Sequence, residues 1–315
     1  MRRVAIALGA VSFLVILAIA AIAIWVPGQQ ADRDYIPSVP RPAFASNGPN
    51  LCIDEAHHNA HTATGTYQPF AQLLKADGYR IERSGKRFEQ GSLARCRVLV
   101  VANAAGAPRY HIYGLNLPIP VEGKREDPAF TSAEVADLLN WVRNGGSLLL
   151  VADHFPYGSA SAGLAEAFGV NMSAGFSTAP NRDPAGNDPG QLIFTRSNGL
   201  LGDHPILEGR SADERIDRII TFTGQSLAAR GASTLLALPD GAIDNVPPPP
   251  SFKAVSAKGR NQGLAMQFGK GRIVVLGEAA FLTAQRDEES HFGLSRTNQN
   301  AQFALNIVHW LTGLS

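Results

Sequence analysis

Cysteine is nearly absent: Cys52 and Cys96 are the two in 315 residues. Two thiols cannot build a disulfide framework or a cysteine-ligated structural zinc site. An excess of one charge is missing as well, with 28 Lys+Arg against 27 Asp+Glu and a net charge of +1. No basic field tracks a phosphate backbone, so nucleic acid is not an expected partner. With 17% charged and 45% hydrophobic residues, wholesale disorder is excluded. Catalytic signatures are also lacking. There is no HExxH helix, Ser226 in Gly224-Gln-Ser226-Leu lacks the glycine-x-serine-x-glycine elbow, and no Lys-Ser/Thr follows Gly145-Gly146 to make a phosphate loop.

What is present begins with an apolar run. Met1-Arg2-Arg3 precedes an uncharged stretch from Val4 to Val26, closed by Pro27. As a helix these residues would span about 34 Å, enough for a hydrocarbon core of roughly 30 Å. Residues 1–27 are therefore expected to be an uncleaved anchor in the inner membrane. The competing reading is a cleaved signal peptide, whose apolar region usually runs to about 7–15 residues. The positive-inside rule keeps Arg2 and Arg3 in the cytoplasm and sends the remainder to the periplasm or the outer face. Residues 28–49, with Pro37-Ser-Val-Pro40-Arg-Pro42 at their centre, are expected to be a linker, and residues 50–315 a single domain. An oxidising compartment permits a Cys52–Cys96 disulfide, since both residues lie at the starts of expected strands; two free buried thiols fit equally.

Within the domain, Leu51–Asp54, Arg97–Val101, Ser147–Val151 and Arg272–Leu276 are short continuous apolar runs, the pattern of strands covered on both faces. Helical patterns lie between them. Phe70, Leu73 and Leu74 precede Asp77-Gly78; Thr131-Ser-Ala-Glu134 forms a capping box before Val135, Leu138, Leu139 and Val142; Ala160–Phe168 and Gln299–Leu311 follow. This alternation predicts an α/β fold with a mostly parallel sheet between helix layers. From Val170 to Phe268 strand-like runs come with few helices and are expected as an antiparallel extension at one edge.

In open α/β sheets ligands bind beyond the carboxyl ends of the strands. There the sequence places Asp54-Glu55-Ala-His57-His58-Asn59-Ala-His61, then Asn103, then Asp153-His154, then Glu278. Three of the eight histidines fall within five residues, which makes this rim the candidate site. Three readings stand. His57, His58 and His154 with nearby carboxylates match the ligand set of a divalent metal such as Zn, Mn or Fe. Glu55, His58, Asp153, His154 and Glu278 could instead serve as general acids and bases. The third reading has the carboxylates capping loops and the histidines satisfying buried backbone groups. Outside the rim, His204 before Pro205 reads as structural, His309 as packed on the last helix, and His291 as a solvated loop residue.

The order of these motifs, together with Asp203-His204-Pro205-Ile206, Gly271-Arg272-Ile-Val-Val-Leu-Gly277-Glu278 and Asn306-Ile-Val-His-Trp310-Leu, resembles the class I glutamine amidotransferase-like superfamily. More narrowly it is similar to bacterial membrane-anchored members related to gliding-motility and ThuA-like domains, over about residues 51–314. The resemblance implies a flavodoxin-like three-layer sandwich. It does not carry over the amidotransferase reaction, which needs a thiolate on a sharp strand-to-helix turn; that turn here reads Asp153-His154-Phe155. The expectation is a ligand- or partner-binding module outside the cytoplasm. The alternative is a metal-assisted hydrolase acting on a carbohydrate or envelope component.

Overall fold

The computed structural model describes residues 30–32, 34–89, 91–108, 111–112, 115–116, 123–179, 190–286 and 291–314. Thirteen elements frame it: strands β1 (Asn50–Asp54), β2 (Arg80–Ser84), β3 (Val98–Ala102), β4 (Ser147–Val151), β5 (Val170–Met172), β6 (Leu227–Ala229), β7 (Ser233–Ala237), β8 (Asn261–Phe268) and β9 (Gly271–Leu276), and helices α1 (Gln68–Ala76), α2 (Ser132–Arg143), α3 (Tyr157–Ala167) and α4 (Asn298–Thr312). The strands form one nine-stranded sheet in the order β2-β1-β3-β4-β9-β8-β6-β5, with β7 also paired to β8. The first five strands in this order are parallel, and the pairs beyond β9 are antiparallel. The parallel part has the flavodoxin-like order, in which the direction of strand succession across the sheet reverses between β1 and β3.

Every residue of β3 and β4 is buried, because helices cover both faces. Alternate residues of one strand enter different cores, as the period of two requires. Val98, Val100, Leu149 and Val274 pack with Leu73, Leu74, Phe303 and Ile307 of α1 and α4. Leu99, Val101, Leu148 and Val275 pack with Leu138, Val142 and Leu164 of α2 and α3. The expected sandwich is therefore present. The capping box also forms: Thr131 accepts from the Glu134 N–H, and the Glu134 carboxylate accepts from the Thr131 N–H.

The strand expectations hold to within a few residues at their ends, and the edge strand β2 was not anticipated. Its sequence Arg-Ile-Glu-Arg-Ser is largely exposed; charge blunts an edge against stray pairing and hides it from a search for apolar runs. The antiparallel edge is present, but part of the 170–268 region leaves the main sheet. Gln191–Thr195 pairs with Arg218–Phe222 as a separate ribbon. Phe176–Thr178, Ile243–Val246 and Lys253–Ser256 make a three-stranded sheet.

Two N-terminal expectations need comment. The anchor over residues 4–26 lies outside the described residues, and among those no helix is long and apolar enough to cross a membrane. Of the stretch expected as a linker, residues 30–32 and 34–49 are docked on the domain. Gln30–Ala31 pairs with Gln285–Arg286, Asp32 meets His291 at 2.9 Å, and the Phe44 ring packs edge-on against Tyr79 at 5.1 Å. Tyr35, Val39 and Phe44 are too few to build a core, yet they suffice to add to one already formed. His291, expected in a solvated loop, thus sits in the strand His291–Gly293 and holds this strap. Between the two alternatives left for the cysteines, the structure has the disulfide: Cys52 of β1 is joined to Cys96, two residues before β3, with Cα atoms 5.6 Å apart.

Candidate functional site

Because β1, β3, β4 and β9 are parallel neighbours, the residues after them emerge at one end of the sheet. Asp54, Asn103, Asp153 and Glu278 occupy that end, at the reversal of strand order. They divide into two clusters.

The first cluster is sealed. Asp54 and His57 are fully buried. Asp54 accepts from the Ala56 N–H, from His57 Nδ1 at 2.9 Å and from the Asn59 amide at 3.0 Å. His57 Nε2 lies 2.9 Å from Glu134 Oε1, and Glu134 in turn meets Arg87 at 3.1 Å. Phe88 and Phe130 flank the imidazole, each centroid 4.6 Å away. Burial opposes charge on His57, but the hydrogen bonds and charges of Asp54 and Glu134 outweigh it and raise its pKa. Burial likewise opposes charge on Glu134, yet His57 and the Thr131 cap bring that carboxyl down to about 2. The result is an alternating chain of carboxylate, imidazolium, carboxylate and guanidinium that ties the β1 exit to the start of α2.

That arrangement bears on the metal reading. With a carboxylate on each ring nitrogen, His57 carries both protons and has no lone pair to offer a cation. His58, one residue on, is exposed in a left-handed conformation at φ +49. Burial and the neighbouring Arg87 and His57 charges hold its pKa below the ordinary value. His154 lies at the other cluster. The three histidines do not fit a shared ion, and among the described residues no group of three or more His, Cys, Asp or Glu side chains is placed to hold one. Glu55 is occupied too, accepting from the Ala63 N–H at 2.9 Å and from Arg83 at 2.8 Å. His61 bonds Thr66 at 2.6 Å and stacks on Tyr67, and burial pushes its pKa down to about 4.

The second cluster opens to solvent. The Asp153 N–H donates to Asn103 Oδ1 at 2.8 Å, and the Asp153 carboxylate accepts from the His154 N–H at 2.9 Å. Glu278 is 2% exposed and accepts from the N–H groups of Ala280 and Phe281 at 2.6 and 2.9 Å. Burial raises the pKa of both carboxyls, and the Asp153 charge pushes Glu278 well above the usual range. Glu278 therefore holds its proton where an ordinary carboxyl has lost it. His154 sits at the mouth with 29% of its side chain exposed and 3.7 Å from Asp153. Its Nδ1 meets the Phe155 carbonyl, and its ring stacks on Phe176 at 3.9 Å and 24°. Phe252 closes edge-on against Phe176 at 5.2 Å. The cluster thus joins an acidic pair to a half-exposed aromatic platform.

Several residues of this end were not anticipated as site residues. Gln225 donates to the Ala152 and Asp153 carbonyls and accepts from the Ala174 N–H, tying together the loops around the mouth. Tyr67 is fully buried, and its hydroxyl donates to the Ala279 carbonyl at 3.0 Å. Glu134 was visible as a helix cap, but its bond to His57 spans 77 positions and leaves no local signal. Asn103 and Thr223 join His58 at positive φ, +47 and +65. Such backbone costs about 1–3 kcal/mol each and collects where a site demands it.

No protein-family model and no curated protein matches the chain. Solved structures do match. In fold the chain resembles the mmIFT52 N-terminal domain. The two share 13% identity over 84% of this chain and 97% of that one, with a TM-score of 0.55. The likeness to mmIFT52 is one of architecture, and no residue role passes across it. ThuA-like proteins are also among the similar structures, one from Bacteroides uniformis (TM-score 0.45, 12% identity, 88% of this chain and 94% of that) and one from Parabacteroides merdae (0.40, 10%, 84% and 91%).

Proposed function

We propose that the chain is a membrane-anchored, extracytoplasmic member of the class I amidotransferase-like branch related to gliding-motility and ThuA-like domains. In this reading it is a binding module for a carbohydrate of the cell envelope and has no amidotransferase activity. The Cys52–Cys96 disulfide supports it twice: such bonds persist in oxidising compartments, and the bond consumes both thiols of the chain. The turn after β4, where a thiolate would be needed, carries Asp153 and His154 instead.

One observation carries the ligand assignment: His154, stacked on Phe176, borders the Asp153–Glu278 pair. A flat apolar sugar face suits the rings, and hydroxyl groups, which both donate and accept, suit the two carboxyls. The test is titration of the full chain with chitotetraose, beside Phe176→Ala and His154→Ala. Saturable binding weakened at least about tenfold in both variants is expected. Binding unchanged in both, or none by a folded wild-type chain, refutes the assignment.

The paired carboxyls favour a second reading, hydrolysis by acid and base, with Glu278, the more strongly raised of the two, as the acid and Asp153 as the base. The metal-assisted form, with His57, His58 and His154 as ligands, does not fit the placement of these side chains. Release of shorter saccharides during the titration, abolished by Asp153→Asn, would select the acid–base reading.

A further inference from the structure

Ser226, which lacks the setting of a nucleophile, belongs instead to a buried polar bridge next to the aromatic platform of the rim. Ser177, Ser226 and Asp244 are 0%, 0% and 1% exposed. The Asp244 carboxylate accepts from the Ser177 hydroxyl at Oδ1 and from the Ser226 hydroxyl at Oδ2. Arg260 Nε donates to the Ser226 hydroxyl oxygen at 2.5 Å, and its Nη2 donates to the Ser226 carbonyl at 3.2 Å and to Asn171 Oδ1 of β5 at 3.0 Å. A buried carboxylate is costly unless hydrogen bonds meet it. Here both oxygens are met, by hydroxyls from two different segments.

Those segments carry the stack at the mouth. Ser177 follows Phe176, and in the three-stranded sheet Asp244 is the register partner of Ser177 and Asn245 that of Phe176. This small sheet shares no ladder with the nine-stranded one, so bonds from side chains and loops set its placement. The Ser177 N–H donates to the Gly224 carbonyl at 2.9 Å, two residues before Ser226. The other ring of the stack depends on the same stretch: the Phe155 N–H, next to His154, donates to the Ala174 carbonyl at 2.9 Å. Packing there is close, since a Cβ on Gly175 would lie 2.9 Å from the Asp244 Cβ.

We infer that Asp244 is a positioning residue of the rim: through its hydrogen bonds to the Ser177 and Ser226 hydroxyls it keeps the Phe176 ring stacked on His154 before any ligand arrives. A ring held in place beforehand spares the ligand the cost of ordering it. The part Asp244 plays in binding rests on the carbohydrate reading of the rim; its hold on the stack does not.

The test follows the Cδ2–H and Cε1–H proton resonances of His154 in the full chain, which the Phe176 ring current displaces; Phe176→Ala gives their undisplaced position. Asp244→Ala and Ser177→Ala are expected to lose most of that displacement, and Asp244→Asn, whose amide can still bond both hydroxyls, to keep most of it. The His57 resonances, between Phe88 and Phe130 in the sealed cluster, should stay in place. Chitotetraose affinity should fall about tenfold in the two alanine variants and remain near wild type in Asp244→Asn. Displacement kept in full by both alanine variants overturns the inference. So does an equal loss in Asp244→Asn, or a comparable shift of His57, which would mark a general loosening of the fold. Should Asp244→Ala fail to fold, Ser177→Ala decides alone. A wild-type chain that binds no chitotetraose while the displacements follow the expected pattern refutes the carbohydrate reading and leaves the positioning role standing.

Discussion

Replacing Glu134 by Gln probes the sealed cluster. The change keeps the side-chain shape and can still serve the capping box, but it removes the negative charge facing His57 Nε2. In the folded chain the Glu134 carboxyl sits at about 2 against an ordinary 4.5. The difference corresponds to about 3 kcal/mol of stability. Because the folded value is depressed, that stability is present above pH 4.5 and is lost as the pH falls toward 2. His57 has the opposite sign: its raised value stabilises the fold below pH 6.5, and this contribution fades as the pH rises through the folded value. Urea unfolding of wild type and Glu134→Gln at pH 7, 4 and 3 reads the effect. The variant should be less stable by about 3 kcal/mol at pH 7, and the gap should narrow steadily below pH 4.5. The His57 titration should also move to lower pH in the variant. A gap under about 1 kcal/mol at pH 7, within the range of an exposed ion pair, or one that does not change with pH, would refute the claim that Glu134 and His57 are mutually charged.

Three further outcomes are expected. Reducing Cys52–Cys96, which closes a loop with a sequence separation of 44, should lower stability by about 4 kcal/mol on the chain-entropy estimate; an unchanged melting temperature in reductant would argue against the bond. Gly277→Ala would bring a Cβ to 2.2 Å from the Gln225 carbonyl oxygen, so thermal unfolding should show a loss of about 1–3 kcal/mol, and wild-type stability would mean that the loops there yield freely. Asp153→Asn removes the charge that helps hold the proton on Glu278. Isotope-edited infrared spectroscopy of the carboxyls should then show Glu278 ionising at lower pH than in wild type, and no movement would break the coupling of the pair.

Much of the architecture was readable from residue patterns. Leu148–Val151 and Ile273–Leu276 are apolar without interruption because helices cover them on both sides. Thr131 and Glu134 announce a helix start that forms as written. Parallel strands point one way, so the polar residues that follow them had to gather at one end. Less was readable of the site's chemistry. Glu55, His57 and Glu278 were candidates by residue type, but type does not say whether a polar atom is open or already engaged.

What the linear order determined by itself was the local and periodic: which runs are strands, where helices start and stop, and which residues leave each strand end. These follow from backbone periodicity and capping, which act over a few positions. Tertiary structure decided the rest. It brought Glu134 to His57, Glu278 to Asp153, Gln225 to the β4 exit, Cys96 to Cys52 and the 34–49 strap onto the domain. Each pairing depends on packing between segments far apart in the chain, where hydrogen bonds and charges are set by distances in space that no spacing of residues encodes.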